Sequence, residues 1–273
     1  MHLLRFALLL LFASALHAEP DSVSTPATVA DTFDGDTLRL DDDARVRLDG
    51  INALEIPHQA TEIDRCLPSN RRPDPQGPDC DTTLAVAAKK LLHDLTAERT
   101  VLLHINPARR TDRYGRILAQ VYAPDDHDGA IWAQEKLLAA GLVYVYPLTG
   151  HELDLPRMLE IEKSARKAKR GIWQLPEMQP SPAEQAADHY GHYAFIQGKV
   201  MHTAKIKNKI YLNFGADWRS DFTVMIERHD WSNFRNLDLL ALKGRTISVR
   251  GFLHEDNGPM LRATNPAQLE LND

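Results

Sequence analysis

Residues 27–51 read Ala27-Thr-Val-Ala-Asp-Thr-Phe-Asp-Gly-Asp-Thr-Leu-Arg-Leu-Asp-Asp-Asp-Ala-Arg-Val-Arg-Leu-Asp-Gly-Ile51. Apolar and polar residues alternate around polar turns, which is the period of half-buried strands. The stretch predicts strands near 27–33, 36–40 and 45–51, joined by Asp34-Gly35 and by Asp41-Asp42-Asp43. Residues 19–26 read as a short mobile lead. Downstream, Leu84, Ala88, Leu91, Leu92 and Leu95 recur at helical spacing, with Asp81 as candidate N-cap. Strands near 100–106 and 116–123 follow. A helix over about 130–140 is stopped by Gly141, and 143–146 is extended. A last helix, about 152–170, carries Met158, Ile161, Ala165 and Ala168 on one face and a basic final turn before Gly171.

Pro176, Pro180 and Pro182 mark a linker, which places the domain boundary there. Beyond it, strands fit at about 194–202, 209–214, 221–228, 245–253 and 259–270, with one helical segment near 230–241. Three strands, a helix and two strands is the element order of a five-stranded Greek-key barrel of the OB type.

The chain has 273 residues, 43% hydrophobic and 26% charged. Those values exclude a disordered or collagen-like chain, and the length suggests about two domains. Lys and Arg total 32 against 38 Asp and Glu, a formal charge of −6. Alone, that opposes a polyanionic partner, because phosphate binding depends on basic side chains displacing counterions.

Residues 3–16 are an apolar run after a weakly basic start, too short for a comfortable membrane span and ending in small residues. This predicts a signal peptide over residues 1–18, cut after Ala15 or Ala18, with an uncleaved anchor as the rival reading. Export to the periplasm or beyond permits a disulfide. Cys66 and Cys80 are the only cysteines, and a bridge between them closes about 15 residues and contributes roughly 3 kcal/mol. A metal site using His58, Cys66 and Cys80 is the alternative, with spacing unlike standard zinc patterns.

Three segments carry chemistry: Asp34-Gly-Asp-Thr37, Arg47-Leu-Asp-Gly-Ile-Asn-Ala-Leu-Glu55 and Thr111-Asp-Arg-Tyr-Gly-Arg116. Close carboxylates at a turn repel one another unless a hard cation sits between them, and calcium accepts carboxylate, carbonyl and water oxygens. Arginine offers a planar fork for phosphate oxygens. A nearby carboxylate takes a proton from water. Singly, each motif has a plainer explanation as a turn, a surface charge or a loop cap. Together they form a set suited to phosphodiester hydrolysis.

With Gly141-Leu142, Tyr144, Tyr146 and Arg170-Gly-Ile-Trp173, residues 27–173 resemble the thermonuclease family, the secreted calcium-dependent nucleases of the staphylococcal nuclease type. The resemblance implies a β-rich α+β fold, an OB-type barrel with about three helices over 27–175. A linker over 176–190 then leads to a second small OB-type barrel over 191–273, as in some bacterial members. It further implies calcium held by Asp36, Asp34, Asn52 and the backbone carbonyl of Ala53. Arg47 and Arg116 would bind the scissile phosphate and Glu55 would activate water. Arg113, Tyr114, Tyr144 and Tyr146 would hold the terminal phosphate and nucleotide, Tyr144 and Tyr146 equally serving as core residues. The substrate implied is DNA or RNA, with single strands preferred.

Two departures matter. The family usually has Asp where this chain has Asn52 and Pro where it has Leu54, which implies a weaker metal site and a looser loop under Glu55. In the second domain Lys205, Lys207, Lys209, Arg219, Arg245 and Arg250, with Tyr211 and Trp218, would offer a single-strand groove, the competing reading being a neutral module whose aromatics are core. The rival readings are a non-catalytic nucleic-acid binder and an envelope module with a protein partner.

Overall fold

The alternation after Val23 becomes three antiparallel strands: β1 (Val23–Thr32), β2 (Thr37–Leu40) and β3 (Arg45–Leu48). This is a computed structural model, and it describes residues 23–55, 82–125, 129–147 and 153–272. The expected signal peptide, His58, Cys66, Cys80 and Asp81 lie outside the described residues. A short β4 (Ile51–Ala53) precedes α1 (Thr83–Thr96), β5 (Thr100–Ile105) and β6 (Ile117–Pro124). β1 pairs with β5, β5 with β6, and β3 runs parallel to β6. The path β1-β2-β3-β6-β5 therefore closes into a five-stranded barrel with the strand order of the OB type. Alternating residues Val29, Leu38, Val46, Leu103 and Val121 fill it, and α1 adds Ala88 and Leu92.

Residues 23–26 are not a lead. Their side chains are exposed, but their backbone pairs with Leu102–Ile105, and ladder bonds leave no trace in side-chain patterning. Ala130–Trp132, expected to start a helix, form a strand, β7, on the end of β6, and α2 covers only Ala133–Ala140. A short apolar run fits either period, and pairing with β6 decides it. α2 ends at Gly141, whose φ of 68° is open to glycine at little cost.

β8 (Val143–Val145) pairs with β4, setting Tyr144 beside Asn52. α3 (Leu155–Lys167) returns across it. Gly141 and Gly171 meet back to back: a Cβ on Gly171 would lie 2.2 Å from the Gly141 carbonyl, which accepts the Ile172 N–H at 2.8 Å.

Residues 176–190 contain two 3-10 turns, Pro176–Met178 and Ala183–His189, with Met178, Ala183 and Ala186 buried. The second sheet is built from β9 (Ser181–Pro182), β10 (Tyr193–Lys199), β11 (His202–Ile206), β12 (Lys209–Asn213), β13 (Thr223–Glu227), β14 (Thr246–Glu255), β15 (Pro259–Arg262) and β16 (Leu269–Leu271). Its order is β11-β12-β13-β15-β14-β10-β9, with β16 on β14. The helix expected near 230–241 is two 3-10 turns, Arg228–Phe234 and Leu240–Leu242. Asp238 accepts the Leu240 and Ala241 N–H groups, and such local side-chain bonds compete with a continuous helix. The strand expected over 259–270 is broken at Asn265, whose side chain caps the Pro266–Gln268 turn.

The two sheets share a junction. Tyr144, Trp173 and Met178 pack with Phe195 of β10. Glu162 of α3, fully buried, meets Arg250 of β14 at 2.8 and 3.0 Å and accepts the Val145 N–H at 2.6 Å. Burial opposes the Arg250 charge, but Glu162, through its charge and its hydrogen bond, together with Tyr193 and Glu270, more than offsets it and holds the guanidinium ionised. Arg250 is therefore spent on this junction and is not part of a single-strand groove.

Removing one partner strands the other charge in an apolar setting, at about 3–5 kcal/mol. Arg250→Met should lower the urea midpoint accordingly, and adding Glu162→Leu should recover most of the loss. A single-variant cost under about 1 kcal/mol would show that this pair does not join the halves.

Candidate active site

The turn between β1 and β2 carries Asp34 and Asp36. Gly35 sits between them because a Cβ there would meet the Ala88 and Ala53 methyls at 2.6 and 2.7 Å. Asp36 is buried. One oxygen accepts from Thr37 Oγ1 at 3.0 Å and forms an ion pair with Arg47 Nε at 3.1 Å; the other accepts the Ala53 N–H at 2.7 Å. Asp34 accepts the Asp36 N–H at 3.0 Å. Burial first, and the Asp36 charge second, push the Asp34 carboxyl up to about 7.

Arg47 stands opposite Thr37 in the β2–β3 ladder. Besides Asp36, its guanidinium donates to the Leu48 carbonyl and to Asn52 Oδ1, both at 2.7 Å. The Asn52 amide then donates to the Ala53 carbonyl at 2.9 Å and the Tyr144 hydroxyl at 3.0 Å. Carboxylate, guanidinium, amide and phenol form one connected chain, the first link an ion pair and the others hydrogen bonds.

The Thr111–Arg116 segment is a tight turn through Gly115, with φ 78°. Asp112 organises it. Its carboxylate accepts the Tyr114 and Arg116 N–H groups at 2.9 and 3.0 Å and Arg116 Nε at 2.7 Å. Burial works against ionisation of Asp112, but these bonds outweigh it and hold the carboxyl below its usual range. Tyr114 is exposed, and the Arg113 and Arg116 guanidiniums lie 4.7 and 5.5 Å from its ring centre.

One cleft of about 670 Å³ gathers Asp34, Asp36, Arg47, Asn52, Glu55 and Arg116, with Arg113, Tyr114 and Tyr146 also on its wall. Glu55, also on its lining, is exposed. Two predicted residues stand apart. Tyr144 is buried behind the wall and reaches the site only through Asn52; burial raises its phenol and keeps it neutral. Ala53 contributes backbone groups, already bonded to Asp36 and Asn52.

Among the lining residues that escaped sequence reasoning are Arg109, Asp112 and Phe252. Asp112 lay inside a quoted motif, and its spacing of four from Arg116 was the available signal. Arg109 precedes that motif, and its buried Nη1 has no hydrogen-bond partner among the described residues. Phe252 gave no signal, being a single aromatic residue on a distant strand.

Among the described residues no group of three or more His, Cys, Asp or Glu gathers as a metal site. The donors at hand are two carboxylates and an amide oxygen. Two adjacent carboxylates, one of them resisting ionisation, suit a hard cation completed by carbonyl and water oxygens rather than a softer metal. The fit of the donor set to calcium is therefore chemical.

The raised Asp34 carboxyl has a consequence for metal-free protein. A group whose folded value lies above its unfolded 3.8 favours the fold below about 4 and loses that contribution as pH rises through about 7. In chelator, Asp34→Asn should leave the melting temperature near that of the parent at pH 4 and raise it by a few degrees at pH 8. Equal shifts at both values would remove Asp34 as the cause.

The family model described as staphylococcal nuclease homologue matches residues 45–175. Over 118 residues the chain is 32% identical to a "Micrococcal nuclease" of Shigella flexneri, covering 40% of this chain and 63% of that protein. Over 62 residues it is 40% identical to an "Uncharacterized endonuclease" of Escherichia coli, covering 23% of this chain and 36% of that protein. The matches thus span less than two thirds of these relatives. Over residues 45–175 the chain is thus similar to the staphylococcal nuclease homologue family.

Proposed function

We propose that the protein is an exported, calcium-dependent nuclease that hydrolyses phosphodiester bonds of DNA or RNA, single strands preferred. One observation carries the reading: Asp34, Asp36, Arg47, Glu55 and Arg116 line a single cleft. Asp34, Asp36 and Asn52 would hold calcium, with the Ala53 carbonyl once Asn52 releases it. The ion, when bound, polarises a phosphate oxygen. Arg116, aimed by Asp112, neutralises charge developing on the phosphoryl oxygens, and Arg47 of the same cleft does so as well. Glu55, exposed on the lining, accepts a proton from the attacking water.

Arg113 and Tyr114 offer a cation and a ring to a terminal phosphate and its nucleoside. The apolar start of the sequence supports export, and Cys66 with Cys80 would then pair. The second sheet supports a second OB-type barrel over residues 191–273: β10 and β11 are nearly continuous, and β13 runs parallel to β15.

Purified mature protein should cleave single-stranded DNA in calcium and stop on chelation. Arg116→Ala and Glu55→Gln should each lower kcat by about 10²-fold or more. Full activity in either variant would sink this assignment of roles.

A second reading, a weakly active or non-catalytic single-strand binder, is favoured by the bonding of Arg47. All three of its donor nitrogens face internal acceptors, one of them Asn52. Aspartate cannot donate to the Ala53 carbonyl, so Asn52→Asp frees that oxygen and adds a negative charge. Calcium affinity, read by titration calorimetry, should rise by about tenfold. Unchanged affinity would separate Asn52 from the metal.

A further inference from the structure

We infer that the C-terminal sheet completes the cleft: Phe252 is the stacking surface for an unpaired nucleobase next to the phosphate held by Arg47 and Arg116. The inference rests on the nuclease reading for its substrate, and on separate observations for its geometry.

Side chains two apart on a strand share a face, so Arg250 and Phe252 of β14 point the same way. Arg250 faces the first barrel, fixed there by Glu162 and within 3.4 Å of the Val145 carbonyl. The antiparallel register sets Phe195 beside Arg250 and Tyr193 beside Phe252. One face of the second sheet thus presents Tyr193, Phe195, Arg250 and Phe252 to the nuclease-like half.

The first three are consumed by that contact. Phe195 packs on Trp173 and Tyr144, and Tyr193 lies 5.2 Å from both Tyr144 and Tyr146. Phe252 ends the row. It remains 50% exposed, lines the same cleft as Asp36 and Arg116, and sits edge-on to Tyr146 at 6.3 Å and to Tyr193 at 5.6 Å.

A phenyl ring has no polar handle, so its place on an arginine-lined wall calls for an apolar partner. A single strand supplies both parts: phosphates for Arg47, Arg109, Arg113 and Arg116, and a base with a free π-face for the ring. Bases stacked inside a duplex offer no such face. The buried Glu162–Arg250 pair, two residues away, holds the ring at a fixed distance from the reacting phosphate, so the second sheet acts on substrate through position rather than through a groove of its own.

The test uses the full mature chain in a Glu55→Gln background, which slows cleavage by about 10²-fold or more. Fluorescence anisotropy follows a labelled oligothymidylate and an abasic strand of equal length. Phe252→Ala should weaken the intact strand by about tenfold and the abasic strand less than twofold, and Phe252→Trp should restore binding. Phe252→Leu keeps apolar packing without a stacking face and should behave like Phe252→Ala, which separates stacking from loss of fold.

With Glu55 intact, Phe252→Ala should lower kcat/KM for the oligothymidylate far more than for the base-free diester methyl p-nitrophenyl phosphate. Equal affinity of variant and parent for the intact strand, or equal loss on both strands, overturns the inference. A Phe252 effect on binding in a protein that cleaves nothing would uphold the platform and reject the nuclease reading.

Discussion

A carboxylate and a guanidinium, both buried, hold this molecule in register. Glu162 lies in the middle of α3, at a position that helical patterning assigns to the core. Its charge is tolerable because Arg250 arrives from a different sheet, Arg166 lies 3.6 Å away on the same helix and the Val145 N–H donates to it. In a low-dielectric setting such a pair adds little net stability over apolar packing, but a misplaced partner is costly. The interaction therefore constrains geometry. It ties α3 to β8, β8 through Tyr144 to Asn52, and β14 to both.

From that constraint the cleft inherits its walls. The β2–β3 ladder places Arg47 against Asp36, the β4–β8 pair places Tyr144 against Asn52, and β14 brings Phe252 to Tyr146. The arginine side is held by Asp112, whose carboxylate keeps Arg116 in one orientation before any substrate arrives, so less order must be gained on binding. The formal charge of −6 is compatible with this local picture. Four arginines share one concave surface, while Asp41, Asp42 and Asp43 lie in an exposed turn. Steering from a distance should be weak and local recognition strong.

Much of the first barrel was legible because its strands are half-buried and obey a period of two. The pairs of Asp34 with Asp36 and Arg113 with Arg116 were legible because turn chemistry keeps them adjacent. Where prediction failed, a bond with no side-chain signature prevailed. The β1–β5 ladder drew residues 23–26 into the sheet, pairing with β6 turned Ala130–Trp132 into a strand, and Asp238 interrupted a helical run.

The sequence by itself determined the strand periodicity, the glycine turns and the set of residue types able to handle a phosphodiester, since these depend on neighbours a few positions away. Only the tertiary structure decided that Tyr144 is a buried support, that Arg250 is an internal ion and that Phe252 reaches the cleft. Those three outcomes depend on contacts between residues about 50 to 110 positions apart, where burial and pairing, which no local pattern encodes, set the role of an otherwise ordinary side chain.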